Sequence, residues 1–465
     1  MSALDYGAAD GTALVEAVRG GRARAREICE RTLARIAARD PAINAFTRVL
    51  SEQARADADR VDATIAAGGD PGPLAGMPFA VKNLFDVAGM TTLAGSKINA
   101  SRPPAARDAF TVAAIRRAGG VLMGALNMDE YAYGFTTENS HYGPTRNPHD
   151  PTRVAGGSSG GSGAAVGAGL VPVALASDTN GSIRVPAALC GVFGLKPTYG
   201  RLSRTGSALF AASLDHVGPL GRSVRDVAAA YDVMQGSDPD DPASAGRPVE
   251  ACLPRLGEGI GGLRIAALDG HFAKGGQPEA FAALAQVAAA LGVSRRTTIP
   301  EAARARAAAM VITAAEGATL HLADLRTRAA DFDPLTRDRF LAGALVPTAW
   351  YLQAQRFRSW YRAQVAAVLR EVDVLLAPTT PCPAPRIGQE RMTLDGVEVL
   401  TRPNLGVFTQ PLSFIGLPIL SVPVPTAGAL PLGVQIIAAP FREDQVLRVG
   451  ALLEAKGAAA AAIVG

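Results

Sequence analysis

Apolar positions recur at three- and four-residue spacing across residues 12–64, through Leu14 and Val18 and then Ile28, Leu33 and Ile36. That period predicts helix along the stretch, punctuated by Pro41 and by the glycines between Gly68 and Gly72. The pattern then changes. Met77-Pro-Phe-Ala-Val-Lys-Asn-Leu-Phe85 is a short apolar run between Gly76 and Gly89, as a buried strand and its exit require. Thr111–Ala118 reads as helix and Gly120–Ala125 as strand. Residues 143–163 are rich in turn formers and end in Gly156-Gly-Ser-Ser-Gly-Gly-Ser-Gly163, after which Ala164–Ala168 can begin a helix. Val171–Ala176 reads as a strand, and a second glycine turn, Asp178-Thr-Asn-Gly-Ser-Ile-Arg184, follows at once. Residues 236–261, with Pro239, Pro242, Pro248 and Pro254, read as a surface connection between two halves. Beyond them, helices over residues 277–291, 302–323 and 347–371 alternate with strands at Leu263–Leu268, Val372–Ala377, Ile419–Val424 and Leu432–Ile437. Such alternation predicts an α/β fold with a parallel or mixed sheet under helices. The last ten, alanine-rich residues read as a disordered tail.

Composition narrows the class. At about 150 residues per domain, 465 residues would suggest three domains, yet large α/β enzymes often build one body around one long sheet. One domain over residues 1–465 is expected, with residues 1–65 as its N-terminal helical segment. Hydrophobic residues make up 48%, and 50 glycines join 32 prolines, which is a globular composition with many tight turns. The net charge of +4 comes from interspersed charges, so no nucleic-acid tract stands out. Residues 1–10 lack a basic stretch followed by an apolar one. The mild apolar run Gly163–Ala176 is broken by glycines and Pro172, well short of the roughly 20 apolar residues of a membrane span. A cytoplasmic enzyme with neither membrane nor nucleic-acid partner is expected. Cys29, Cys190, Cys252 and Cys382 are far apart, and the five histidines form no HxxxH or HExxH pair, so neither a metal nor another cofactor is expected.

Lysine is scarce. Of 46 basic residues only Lys82, Lys97, Lys196, Lys274 and Lys456 are lysines, the other 41 being arginines. Arginine stays protonated at ordinary pH, whereas a desolvated lysine can become a neutral base. A lysine inside an apolar run therefore asks for a chemical explanation, while Lys274 and Lys456 need none.

The Gly156–Gly163 tract could be a flexible linker, but linkers rarely run into a helix inside a hydrophobic domain. It matches G-x-S-x-G around both Ser158 and Ser159, a pattern that can mark an α/β-hydrolase turn. That chemistry needs an acid and then a histidine downstream, and His216, His271 and His321 sit in ordinary contexts. No GxxxxGK[ST] occurs, and Gly161–Val166 misses the third glycine of a dinucleotide fingerprint.

Three pieces taken together are more informative. Gly76-x-Pro78-x-x-x-Lys82 precedes the glycine/serine tract with Ser158, and Ser182 follows Ser158 by 24 residues in the second glycine turn. In this order and spacing the chain resembles the amidase signature family. The likeness extends to Gly143-Pro-Thr-Arg-Asn-Pro148, Gly191–Gly200, Ala377-Pro-Thr-Thr-Pro381, Gly416-Leu-Pro418 and Gly433-Val-Gln435. The resemblance implies a large twisted mixed β-sheet covered by helices on both faces. It also implies Ser182 as nucleophile, Ser158 as a bridging serine after a cis peptide at Gly157, and Lys82 as base. The backbone N–H groups of Thr179, Asn180, Gly181 and Ser182 would form the oxyanion hole. The residue types suit the chemistry. A serine must lose its proton as it attacks, and lysine can take that proton only where burial lowers its pKa. Oxyanion donors are worth about 3 kcal/mol each. Ser159 and Ser162 read as loop filling, Asp178 and Arg184 as braces of the turn, and Lys196 as structural. Tyr133 and Phe135 are candidate walls of the pocket.

Against the general family pattern, Asn83 stands in place of aspartate after the lysine, Asn180 in place of the first of two glycines, and Ser413 opens the later Gly-Leu-Pro motif. Val81–Asp86, Thr92–Asn99 and Ser177–Arg184 resemble the 1-carboxybiuret hydrolases of cyanuric acid degradation. This implies a small anionic ureido substrate, release of ammonia to leave urea-1,3-dicarboxylate, and a small helical partner subunit in a heterotetramer. A carboxylate suits the fork of an arginine. By likeness to allophanate hydrolases, Glu316–Arg328 would supply it as Arg326 or Arg328. Met128-Asp-Glu, Thr137-Glu-Asn and Gly143–Pro148 also resemble the glutaminase component of tRNA-dependent amidotransferases. A scaffold without activity is the third reading, and the intact Lys82, Ser158 and Ser182 argue against it.

Overall fold

The computed structural model describes residues 9–426 and 430–464. The reading of residues 1–8 as free of a targeting signal lies outside them, as does residue 465 of the tail. An 11-stranded sheet organises the chain. Its strands run, in spatial order, Phe46–Val49, Val121–Leu126, Pro78–Lys82, Val173–Asp178, His216–Gly221, Phe193–Lys196, Ile419–Val424, Leu432–Ala438, Val374–Pro378, Ile265–Leu268 and Arg296–Thr297. Pro78–Lys82 lies parallel to both neighbours, the strands on its far sides pair antiparallel, and parallel pairing returns at the other edge. The sheet is mixed. Every residue of Pro78–Lys82, Val121–Leu126, Val173–Asp178 and Ile419–Val424 is buried. Successive side chains in a strand point to opposite faces, so full burial means that helices cover both faces of the sheet.

Four details differ from the sequence reading. Residues 12–64 are not helical throughout: helices Gly11–Arg19, Ala25–Ile43 and Ser51–Ala66 enclose the short edge strand Phe46–Val49. Only Phe46 of that strand is buried, so its single buried position was absorbed into the helical period on either side. The helix expected from Ala164 starts earlier and spans Gly160–Gly167. Its glycines let neighbours pack onto bare backbone: a Cβ on Gly161 would sit 2.5 Å from Asn127 N, and one on Gly160 2.5 Å from Thr137 Oγ1. The helix predicted over residues 302–323 stops at Leu320, and a separate helix, Leu322–Arg328, follows the kink at His321. The alanine-rich end is not a loose tail. Ala460 N–H donates to Pro423 O at 3.3 Å, Ala462 N–H to Gly191 O at 2.9 Å and Val464 N–H to Gly167 O at 3.0 Å. Small apolar residues with free backbone donors can dock on such a surface as an irregular strap.

The proline-rich connection lies mostly exposed over residues 245–261, and two buried aspartates pin its start. Asp241 pairs with Arg204 at 2.8 Å, and Asp238 accepts from the Ser203 hydroxyl.

Candidate active site

Lys82 ends a central strand whose two neighbours are parallel to it, a place where loops from several strands converge. Its side chain is fully buried. Lys82 Nζ donates to Ser158 Oγ at 2.7 Å and to Ser177 Oγ at 2.9 Å. Burial pushes the Lys82 amine down to about 7, against the opposing pull of the Asp129, Asp215 and Asp178 charges. Near neutral pH this amine is therefore divided between its charged and uncharged forms. The sequence reading missed Ser177 as a Lys82 partner. Its signal was its position, one residue before the turn on the strand beside Lys82.

Ser158 follows a cis peptide from Gly157. Its carbonyl accepts the Asp129 N–H at 3.1 Å. Ser159 Oγ donates to Ser177 O at 3.2 Å and Ser162 Oγ to Leu175 O at 3.0 Å, so both tie the glycine tract to the neighbouring strand.

The second turn is clamped by a buried ion pair. Arg184 Nε and Nη2 donate to the two Asp178 oxygens at 3.0 Å each, and neither side chain reaches solvent. Burial alone would raise the Asp178 carboxyl, but the Arg184 guanidinium more than offsets it and holds it well below the usual range. Asp178 also accepts the N–H groups of Gly181 at 2.7 Å and Ile183 at 3.2 Å. This corrects one expected oxyanion donor: the Gly181 N–H is committed to Asp178. Thr179, Asn180 and Ser182 remain as candidate donors. Gly181 has φ of 141°, and a Cβ there would lie 2.2 Å from Thr409 Oγ1, so no other residue fits.

Ser182 opens into a cavity of about 350 Å³ that Thr179, Asn180, Tyr133, Phe135, Thr313 and Arg339 also line. Neither Arg326 nor Arg328 lines it. Arg326 is exposed, and Arg328 pairs with Asp331 at 3.0 Å. The kink at His321 carries their helix away, and the preceding turns of Ala302–Leu320 face the cavity through Thr313. The cavity's cation is Arg339, from the helix Pro334–Ala344 that the sequence reading did not identify. Its guanidinium carbon lies 3.6 Å from the Tyr133 ring centroid, and Nη1 donates to Tyr133 O at 2.9 Å. Tyr133, expected as a pocket wall, thus holds the arginine in place. Asp333-Pro334 at that helix's start was the available signal: the Asp333 side chain caps Leu335 N–H at 2.9 Å.

A model of the amidase family matches residues 27–447, and the chain belongs to that family of enzymes, hydrolases of amide C–N bonds. Among its relatives, it is 55% identical to AtzE of Pseudomonas sp. (strain ADP), a component of 1-carboxybiuret hydrolase, over 96% of this chain and 98% of that one. It is 40% identical to a component of the glutamyl-tRNA(Gln) amidotransferase of Chromohalobacter salexigens, over 94% of each. Among solved structures it matches, with TM-score 0.96 and 54% identity over 97% of this chain and 100% of that one, a vestigial protein complex revealing the origins of an s-triazine catabolic enzyme.

Proposed function

We propose that this enzyme hydrolyses a small anionic ureido amide, 1-carboxybiuret, to urea-1,3-dicarboxylate and ammonia through an acyl-enzyme on Ser182. The carrying observation is the fully buried Lys82 amine, 2.7 Å from Ser158 Oγ, together with the cavity that Ser182 lines. Ser182 Oγ attacks the terminal carbonyl as its proton passes to Ser158 Oγ and the Ser158 proton passes to Lys82 Nζ. The N–H groups of Thr179, Asn180 and Ser182 receive the oxyanion. When the C–N bond breaks, the Lys82 proton returns through Ser158 to the leaving nitrogen, and ammonia departs. Water then attacks the acyl-enzyme by the same relay.

Arg339 supports an anionic substrate: among the described residues it makes no ion pair, its close partners being a carbonyl and a ring with the Asp129 charge acting from farther off, so its guanidinium can take a carboxylate. The 55% identity to a component of 1-carboxybiuret hydrolase supports the particular substrate. The likeness to a protein complex supports assembly with a small helical partner subunit in a heterotetramer. The test is ammonia release from purified protein given 1-carboxybiuret, biuret and glutamine in parallel. Turnover of carboxybiuret well above the others, abolished in Ser182→Ala, is expected. Turnover of glutamine alone would overturn the reading in favour of the amidotransferase glutaminase.

A further inference from the structure

Gln410 lines the same cavity as Ser182 and Arg339 and is 4% exposed. The residue before it, Thr409, donates its hydroxyl to Asn180 O at 2.6 Å, which sets Gln410 beside the turn of the nucleophile. Both backbone groups of Gln410 are engaged: its N–H donates to Gly406 O at 3.0 Å and its carbonyl accepts the Phe414 N–H at 3.2 Å. The side chain is held from behind. Arg306 Nε donates to Gln410 Oε1 at 2.7 Å, and Arg306 Nη2 donates to Pro403 O at 2.8 Å and Asn404 Oδ1 at 2.9 Å. A guanidinium offers only N–H groups, so the atom that meets it must be the amide oxygen. The amide cannot turn over, and Nε2 is fixed on the side away from Arg306.

Nε2 has no hydrogen-bond partner among the described residues, yet it is not one of the orphaned polar atoms sealed in the interior: it keeps accessible surface. With the oxygen and the backbone engaged elsewhere, that surface opens on the cavity the residue lines. Arg306 also strengthens the donor it aims. Its three partners are neutral oxygens, and burial lowers its pKa with no carboxylate opposing the shift, so its charge polarises the Gln410 amide uncompensated.

1-Carboxybiuret carries three oxygen-bearing groups. The attacked carbonyl meets the backbone donors of the turn and the carboxylate meets Arg339, which leaves the second ureido carbonyl. The cavity walls include Phe135, Phe210, Met310 and Val346, and a carbonyl enclosed among them needs a donor. Building on that reading of substrate and nucleophile, we infer that Gln410 Nε2 donates to the substrate carbonyl next to the scissile one, with Arg306 as the positioning residue that aims it. The pair thereby selects ureido chains, which carry a carbonyl at that place, over alkyl chains, which do not.

The experiment measures Kd by calorimetry in a Ser182→Ala background, which binds without turning over, for 1-carboxybiuret and for glutaramate. Glutaramate has the same chain length, terminal amide and carboxylate, with CH₂ in place of the second carbonyl. Ser182→Ala protein should prefer carboxybiuret. Adding Gln410→Met should weaken carboxybiuret binding roughly 10- to 100-fold and glutaramate binding little, because glutaramate never engaged Nε2. Arg306→Met, which leaves Gln410 in place but frees its amide to turn, should erode the preference in the same direction. It also carries the test if Gln410→Met does not fold. A preference kept in full by the variants, or equal losses on both ligands, overturns the inference alone. Ser182→Ala protein that does not bind carboxybiuret overturns it together with the substrate reading.

Discussion

Asp129 holds Ser158 through the backbone: its N–H donates to the Ser158 carbonyl at 3.1 Å. Its carboxylate lies against Gly157, where a Cβ would come within 2.2 Å of Oδ2. The same carboxylate accepts the Thr137 N–H at 3.0 Å and pairs with Arg402 at 3.2 Å. Of the charges acting on Lys82, that of Asp129 is the largest, and it favours the ammonium form.

Neutralising Asp129 should therefore move the pH dependence of the enzyme. The base must be uncharged to accept a proton, so kcat/KM of the wild type should rise with pH through about 7 and level off above it. In Asp129→Asn the ammonium loses its strongest counter-charge, and the midpoint should fall below the wild-type value. Steady-state rates between pH 5 and 9 check this. A lower plateau at an unchanged midpoint would mean that Asp129 acts on geometry alone.

The depressed lysine also makes stability depend on pH. Its folded pKa of about 7 lies below the unfolded value near 10.4, so the unfolded chain binds more protons between the two. This group's contribution to stability should increase as pH rises from about 7 to about 10, and Lys82→Met should remove it. Denaturant unfolding of the two proteins at several pH values in that window measures the difference in slope.

Arg339→Leu should raise KM for the anionic substrate by roughly 10- to 100-fold, as loss of a charge-assisted hydrogen bond does, and change turnover of a neutral amide little. Arg326→Leu, on an exposed position outside the cavity, should change neither. Parallel kinetics on carboxybiuret and a neutral amide distinguish the two arginines.

Arg184→Met leaves the Asp178 carboxylate buried without its partner. Breaking one side of a buried pair costs about 3–5 kcal/mol, and here it also loosens the turn that carries Ser182. A large drop in Tm together with lost activity is expected, and both can be read from one purified variant.

The central strands were legible because continuous Val-, Leu- and Ala-rich runs between glycines have few other solutions. Lys82, Ser158 and Ser182 stood out as polar residues in places where the surrounding chain is apolar or glycine-rich. Other features depended on packing that no local pattern records. The Gly160–Gly167 helix was obscured because its glycines serve neighbours that rest on its backbone, not helix propensity. Arg339 was missed because its helix buries only Thr336, Phe340 and Gly343, too few apolar positions to show a period. Arg326 and Arg328 were favoured by likeness to allophanate hydrolases, and the break at His321 that separates their helix from Ala302–Leu320 has no proline or glycine at that point to announce it.

The most direct measurement is the rate at which a fluorophosphonate labels the enzyme across pH, with the labelled residue located by mass spectrometry. Modification of Ser182 alone, accelerating with pH through about 7 in the wild type and slow at every pH in Lys82→Met, is the predicted result. Labelling elsewhere, or labelling of Ser182 at a rate that ignores both pH and Lys82, would contradict the account.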